Sequence, residues 1–313
     1  MPTSPKYSFI MPAYKGQFIR ESIDSILKQT HKDFELIIVD DASPDNLCEI
    51  VSEYKDPRIR FYRNEHNIGG ADLVAQWNHC LEYACGEWVI LATDDDLYEP
   101  EFLSTADDVL SRHPQVDIFR GRICPCDVDG NIQFVEACMP EYTSLEEFFY
   151  LMYNGLFGGI PQYVYRKSTL LNIGGFASLP KAYGSDDLTA LLLARNGIAA
   201  SGLHLVKFRY SGINISSENK FAIEKLFARF LLFEHIYTDI IPSLQSTDVY
   251  SLYFKNRIVP HFPYIAKRVL LKYFHLIPLS QRHNYIHWIW EHTPYLNKRN
   301  KYSLIYHLYV KHS

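Results

Sequence analysis

Residues 7–43 read YSFIMPAYKGQFIRESIDSILKQTHKDFELIIVDDAS. Tyr7–Ala13 and Phe34–Asp40 are short apolar runs without polar alternation, the pattern of parallel strands buried on both faces. Between them Phe18, Ile19, Ile23, Ile26 and Leu27 fall at the spacing of one helical face. Strand, helix and strand in this order predict a right-handed crossover in a parallel α/β sheet. Further along, Ile59–Tyr62 and Trp88–Ala92 are additional strands. A helix over Leu73–Ala84 is expected to end at Gly86, where a C-terminal cap belongs. Val116–Arg120, Tyr163–Arg166 and Leu203–Tyr210 are later strand candidates, and Asp127–Asn131 (DVDGN) is a tight turn. A helix begins near Ser185 and stops at Gly197. After Ser216 the chain reads as helical, with breaks expected at Pro242, Pro260, Pro263 and Pro278.

The 313 residues are 47% hydrophobic and 21% charged, which excludes disorder and suits one large domain or a domain with an appendage. No window approaches ~18 unbroken apolar residues, so a spanning helix is not expected. Met1 to Lys6 lead straight into the first strand without the pattern of a signal peptide. With no such signal, six cysteines favour a reducing compartment. Cys124-Pro125-Cys126, with Cys138 as a distant third, could begin a zinc site. No second close pair follows, and buried free thiols are the expectation.

The net charge of −5 is unevenly divided. Tyr250 to Ser313 hold ten Lys and Arg against the single acid Glu291, a net of +9, and the remainder carries −14. Fourteen aromatic residues and seven His lie in the same tail. Ile265-Ala266, Val269-Leu270 and Tyr273-Phe274 recur every four residues, with Lys267, Arg268 and Lys272 elsewhere on the helix. Such a helix either lies flat on an anionic membrane, with Trp288 and Trp290 as interfacial anchors, or packs its stripe on the preceding domain. RNA binding by a basic aromatic surface is a third reading, and no nucleic acid is expected, because the motifs upstream name a different substrate.

In a parallel α/β sheet, ligands sit beyond the carboxyl ends of the strands. Three of those ends here read Pro12-Ala13-Tyr14, Asp40-Asp41-Ala42-Ser43 and Thr93-Asp94-Asp95-Asp96. Clustered acids repel one another and are expensive to desolvate, so they persist where a hard cation or hydrogen-bond donors neutralise them. The Asp triplet suits Mg²⁺ or Mn²⁺ completed by ligand phosphates, the alternative being a solvated acidic turn. G-x-G-x-x-G, G-x-x-x-x-G-K-[ST] and G-x-S-x-G are all absent, which excludes the dinucleotide, P-loop and serine-hydrolase readings. Asp186-Asp187 opens the Leu-rich helix after Ser185. One carboxylate there can cap the helix while the other serves as a base.

Taken with GEWVILATDDDLYEP (residues 86–100), YRKSTLLNIGGF (165–176) and SDD before a helix (185–187), the opening stretch resembles the inverting family 2 glycosyltransferases. It is similar to their SpsA-type members, where Thr-Asp-Asp likewise stands at the metal-binding strand end. The resemblance implies a GT-A fold, a Rossmann-like and mostly parallel sheet flanked by helices, over residues 1–215. The nucleotide-binding half would be about 1–100 and the acceptor half about 101–215, followed by a helical, basic, aromatic-rich region at 216–313. It also implies roles. Pro12 and Tyr14 line the nucleobase pocket, and Asp41 accepts the uracil N3 hydrogen. Glu21 lies near the donor pocket and Asn78 near the nucleotide. Asp95 ligates the metal, with Asp94 and Asp96 beside it contacting ribose, water, the sugar or the ion. Asp187 is the base, and Gly174, Gly175, Phe176 and Asp186 shape the acceptor side.

This chain departs from the family pattern at two places: Thr93 replaces the Asp that opens the metal motif, and Tyr210-Ser211-Gly212 stands where many relatives have a His. The Q-x-x-R-W motif of processive synthases is absent, pointing to transfer of a single hexosyl or N-acetylhexosaminyl unit. The reading is a cytoplasmic enzyme, peripheral on the inner membrane face. It would move a sugar from a UDP-sugar to a glycan or lipid-linked saccharide in surface polysaccharide synthesis. The rival is a non-catalytic nucleotide-sugar or glycan binder on the same scaffold.

Overall fold

The alternation of apolar runs and amphipathic segments folds as a layered α/β structure. The computed structural model describes residues 4–210, 221–244, 248–274 and 277–309. In chain order the elements begin β1 (Tyr7–Ala13), α1 (Ile19–Leu27), β2 (Phe34–Asp40), α2 (Leu47–Ser52), β3 (Ile59–Arg63), α3 (Leu73–Glu82), β4 (Trp88–Leu91), β5 (Leu97–Tyr98) and α4 (Phe102–Arg112). They continue with β6 (Ile118–Cys126), β7 (Tyr142–Thr143), α5 (Leu145–Met152), β8 (Tyr163–Arg166), α6 (Lys167–Asn172), α7 (Ser185–Leu193) and β9 (Ile198–Arg209). The C-terminal region is α8 (Ala222–His235), the short α9 (Ile241–Ser243), α10 (Val249–Phe274), α11 (Ile286–Glu291) and α12 (Lys298–Tyr309).

Among the described residues the strands form one sheet ordered β3-β2-β1-β4-β8-β6-β9-β5, with β7 on β9. β3, β2, β1 and β4 are parallel, β8 runs antiparallel to both its neighbours, and β6 and β9 are parallel. Strand order reverses between β1 and β4, the switch point beyond whose strand ends ligands of such sheets bind. Side chains alternate across the sheet. Phe9, Met11, Leu36 and Ile38 face a core with α1 and α4, while Ile10, Ile37, Val39 and Leu91 face a second core with α3, α5 and the C-terminal helices.

Three local expectations change. Gly86 is not a helix cap, because α3 ends at Glu82 and Gly86 has no positive φ. It is glycine for lack of room: a Cβ would stand 2.7 Å from Ser8 Oγ and 2.8 Å from Ser8 N. β6 runs past Arg120 to Cys126, since register shifts around Gly121 and Arg122 let the strand continue. Cys124 and Cys126 therefore lie buried in that strand as free thiols, and no cluster of metal-binding side chains occurs among the described residues. Pro260 and Pro263 do not break α10. Interior prolines cost about 3 kcal/mol or more each, and the buried stripe Ile258, Phe262, Ala266, Leu270 and Phe274 offsets this by joining the core with α5 and α8.

The apolar stripe of the tail is thus covered by the protein itself. Trp288 is stacked on Phe227 with ring centroids 4.2 Å apart, so it is not an interfacial anchor; Trp290 is 38% exposed. No helix among the described residues is long and apolar enough to cross a membrane.

Candidate active site

The three strand ends are tied into one unit. Asp94 Oδ2 accepts the backbone N–H groups of Tyr14 (2.9 Å) and Lys15 (2.8 Å), joining the ends of β4 and β1. Ser43 Oγ donates to the Tyr14 carbonyl at 2.5 Å, joining the end of β2. Asp40 is buried and pairs with Arg63 while accepting Ser43 N–H, and Ala42 between them is held at φ 53°, a left-handed conformation costing about 1–2 kcal/mol. Asp41, also buried, accepts Asn64 Nδ2 and Ile68 N–H on Oδ1 and Gly69 N–H on Oδ2. Tyr14 keeps its side chain largely in solvent, at 41% exposure, beside half-buried Pro12.

The Asp triplet divides its work. Asp96 is buried, with Oδ1 accepting Arg209 N–H (2.9 Å) and Oδ2 accepting the Thr93 hydroxyl (2.5 Å). Burial, with the Asp95 charge second, pushes its carboxyl up to about 8. Burial also raises Asp94, against the pull of the Tyr14 and Lys15 N–H groups. Asp95 is half-buried between them. Thr93, which replaces the family's first Asp, is the hydroxyl that anchors Asp96. Ser211 and Gly212, where relatives place a His, lie outside the described residues. At the last described strand end, Arg209 donates to Glu21 Oε2 at 2.6 Å and stacks 4.1 Å over Phe18. Glu21 therefore reaches the cluster through Arg209, a residue the sequence reading missed.

A hard divalent cation at such a site binds one or two carboxylates and completes its shell with substrate phosphate and water. The oxygen donors fit that chemistry: Asp95 stands half-buried beside Asp94, whereas Asp96 uses both oxygens within the protein.

The second acidic pair sits at the start of α7, after Gly184 at φ 90°. Asp186 Oδ1 accepts the Asp187 N–H at 2.9 Å within the first turn, the N-cap being Gly184 with no side-chain cap, while Asp187 Oδ2 lies 3.7 Å from Arg229 Nη1. Burial, followed by the Asp187 charge, pushes Asp186 up to about 7. Burial likewise raises Asp187, against the lowering effect of Arg229. Gly158 faces this carboxylate, and a Cβ there would stand 2.9 Å from Asp187 Oδ1. The Gly158 loop is fixed by a buried ion pair. Arg120 and Glu136 bond to each other, Arg120 donates to the Phe157 carbonyl (2.9 Å), and Glu136 accepts the Phe157 N–H (2.7 Å).

The remaining residues form a clamp. Asn78 Oδ1 accepts Phe176 N–H at 2.8 Å and its Nδ2 donates to the Phe176 carbonyl at 3.2 Å. Gly175 is at φ 91°, and a Cβ on it would stand 2.3 Å from Asn78 Oδ1. The Phe176 ring is buried edge-on to Trp77 and Tyr165. Asn78 and Phe176 thus join α3 to the segment before α7, with Gly174 at φ 92° as the adjoining turn.

Acids gathered at a topological switch point, beside an exposed aromatic ring, define an α/β protein built around the strand ends as GT-A glycosyltransferases are. Solved structures agree on that fold. S. aureus TarS residues 1–349 in complex with UDP-GlcNAc superposes with a TM-score of 0.65 at 19% identity, covering 97% of this chain and 89% of that one. The mannosyltransferase PcManGT from Pyrobaculum calidifontis, in complex with GDP-Man and Mn²⁺, gives a TM-score of 0.55 at 17% identity over 98% and 86%.

Residues 8–172 match the family model described as glycosyl transferase family 2, more than half of the 313 residues, and the chain belongs to that family. EpsE of Bacillus subtilis (strain 168), named a glycosyltransferase, is 38% identical over 36% of this chain and 41% of its own. TuaG of the same organism, named for teichuronic acid biosynthesis, is 29% identical over 71% and 85%. WfgD of Escherichia coli, a UDP-Glc:alpha-D-GlcNAc-diphosphoundecaprenol beta-1,3-glucosyltransferase, is 39% identical over 29% and 35%. The matched stretch spans less than half the length of EpsE and of WfgD.

Proposed function

We propose that the protein is a metal-dependent inverting glycosyltransferase. It moves one hexosyl or N-acetylhexosaminyl unit from a UDP-sugar to a hydroxyl of a glycan or lipid-linked saccharide in surface polysaccharide synthesis. The observation that carries the reading is the coexistence of two acidic sites with opposite settings: Asp95 among strand-end carboxylates, and Asp187 half-buried against an arginine. The UDP-GlcNAc complex of TarS and the UDP-Glc and diphosphoundecaprenol in the name of WfgD support the donor and acceptor classes. The Mn²⁺ of PcManGT supports the cofactor class.

In this reading the exposed Tyr14 ring stacks on the nucleobase against Pro12. Asp41 Oδ2, which accepts a single N–H within the protein, takes the base N–H. Asp94 orients the β1 loop under the ribose, Glu21 holds Arg209 at the donor edge, and Asn78 acts through its clamp on Phe176. Asp95 holds the ion and Asp96 fixes the loop that carries Asp95. Mn²⁺ or Mg²⁺ bound there supplies positive charge for the departing diphosphate. Asp187 removes the acceptor hydroxyl proton as that oxygen attacks the anomeric carbon from the face opposite the leaving group, so one displacement inverts the centre. Asp186, Gly174 and Gly175 bound the acceptor side.

The place of work in this reading is the cytoplasmic membrane face. With the inner stripe covered, contact would fall to the outer helix faces: Tyr253, Arg257, His261, Tyr264, Arg268 and Lys272 on α10, and Arg299, Tyr302, Tyr306 and Tyr309 on α12, all exposed. The helices are side by side, with Lys267 Nζ donating to Ser303 Oγ at 2.8 Å. Each cation near an anionic leaflet is worth about 1 kcal/mol. The chain is expected to pellet with phosphatidylcholine vesicles only when phosphatidylglycerol is included, and Arg257→Glu/Arg268→Glu/Lys272→Glu should abolish this. Equal pelleting of wild type and triple variant ends the membrane reading. The donor reading is tested by thermal shift with UDP-glucose, UDP-GlcNAc and GDP-mannose, each with and without Mn²⁺, where Mn²⁺-dependent stabilisation by a UDP-sugar is expected.

A further inference from the structure

We propose that Arg229, supplied by the C-terminal helices beyond the family-matched segment, is the positioning residue that keeps Asp187 ionised, and that Tyr183 and Tyr273 hold it in place. This rests on reading Asp187 as the base. Arg229 is carried by α8, 57 residues past the end of the match at residue 172. Its guanidinium lies 3.7 Å from Asp187 Oδ2, within range of direct charge attraction.

The rest of the setting explains why a cation is needed. Asp187 is half-buried, and the groups around it are Asp186 on its own helix, Tyr153 at the end of α5, and Tyr163 and Tyr165 on β8, while Tyr183 and Tyr273 flank Arg229. Burial raises the hydroxyls of Tyr153, Tyr163, Tyr165 and Tyr273, which keeps them neutral, and Asp186 adds a like charge when ionised. Among the described residues Arg229 is the one cation within ion-pair distance of Asp187, and it pairs with no other carboxylate.

Its place is fixed from two sides. The guanidinium stacks 4.6 Å over the Tyr183 ring, and the Tyr183 hydroxyl meets the Tyr273 hydroxyl of α10 at 2.8 Å. Lys225, one turn earlier on α8, lies 5.3 Å from the same ring. Gly184 gives the room: a Cβ there would stand 3.4 Å from Arg229 Nη1 and 3.0 Å from Leu232 Cδ2. Arg229 Nε is buried without an acceptor among the described residues, and the stack on Tyr183, with the Tyr183 and Tyr273 hydroxyls beside the guanidinium, orients the group.

An opposite charge within about 4–6 Å lowers an Asp pKa by roughly 1–3 units, so losing Arg229 should raise Asp187 by about one unit or more. Each unit removes roughly tenfold of the ionised base at a pH below its midpoint. The test is a carboxyl titration of the full chain labelled with ¹³Cγ-aspartate, with the Asp187 signal assigned by its loss in Asp187→Asn. Arg229→Met should move the midpoint up by about a unit or more. Arg229→Lys, which keeps the charge without the planar stack, should move it less, and the acidic limb of UDP-glucose hydrolysis with Mn²⁺ should follow the same order. An unmoved midpoint in folded Arg229→Met overturns the proposal. Should that variant not fold, an unmoved midpoint in folded Arg229→Gln, which also removes the charge, does so. Full hydrolysis by Asp187→Asn would refute the base assignment, and the titration would still report on Arg229 separately.

Discussion

Replacing Glu136 by Ala removes one half of an ion pair whose side chains are 1% and 0% exposed. The loss has three parts. Arg120 keeps a buried charge with no carboxylate to pair it, the Phe157 N–H loses its acceptor, and so does the Ile123 N–H. Removing one partner of a buried pair costs about 3–5 kcal/mol, chiefly for the stranded charge. At about 2 °C per kcal/mol, the lower end for large domains, the melting temperature should fall by roughly 6–10 °C. Arg120→Met should cost a comparable amount. The double variant Arg120→Met/Glu136→Ala should cost less than the sum of the two single changes, since it strands no charge. Scanning calorimetry of the four proteins is the assay. Single variants within about 1 kcal/mol of wild type, or a double variant as unstable as the sum of the singles, would refute the reasoning. Because the pair fixes Phe157 beside Gly158, the singles should also lower transfer at temperatures well below melting.

Gly158→Ala places a methyl group 2.9 Å from Asp187 Oδ1, so transfer should fall at least about tenfold while the melting temperature changes little; an unchanged rate in a steady-state assay would remove Gly158 from the site. Asp186 and Asp187 are both raised by burial, and the ionised base is the active form. Transfer should therefore rise with pH along an acidic limb that belongs to the pair and lies above the ordinary carboxylate range, and a rate–pH profile flat from pH 5 upward would contradict this.

Much of the scaffold was legible in the chain because buried parallel strands are written as unbroken apolar runs. Tyr7–Ala13, Phe34–Asp40 and Tyr163–Arg166 coincide with β1, β2 and β8. Glycine and proline misled where their reason is tertiary. Gly86 is set by the approach of Ser8, and Pro260 and Pro263 are overridden by a buried stripe. The strand-end acids could be read as a group, but not the difference between Asp95 and Asp96, which depends on Thr93 and on the N–H of Arg209, 113 residues away. Glu136, Arg209 and Arg229 have no periodic or motif signature. They meet their partners across long sequence separations, and only the fold brings them to the site.

The central claim is that Asp187 is the base of a sugar transfer, and the most direct measurement compares wild type with Asp187→Asn in Mn²⁺-dependent turnover of a UDP-sugar that stabilises both. Loss of a positioned general base should lower the rate by about 10²–10⁴-fold while the thermal shift by the donor stays the same. Equal turnover by the two proteins would contradict the account. So would donor binding without turnover by wild type across the UDP- and GDP-sugar panel with acceptor saccharides, which would favour a binding protein on this scaffold.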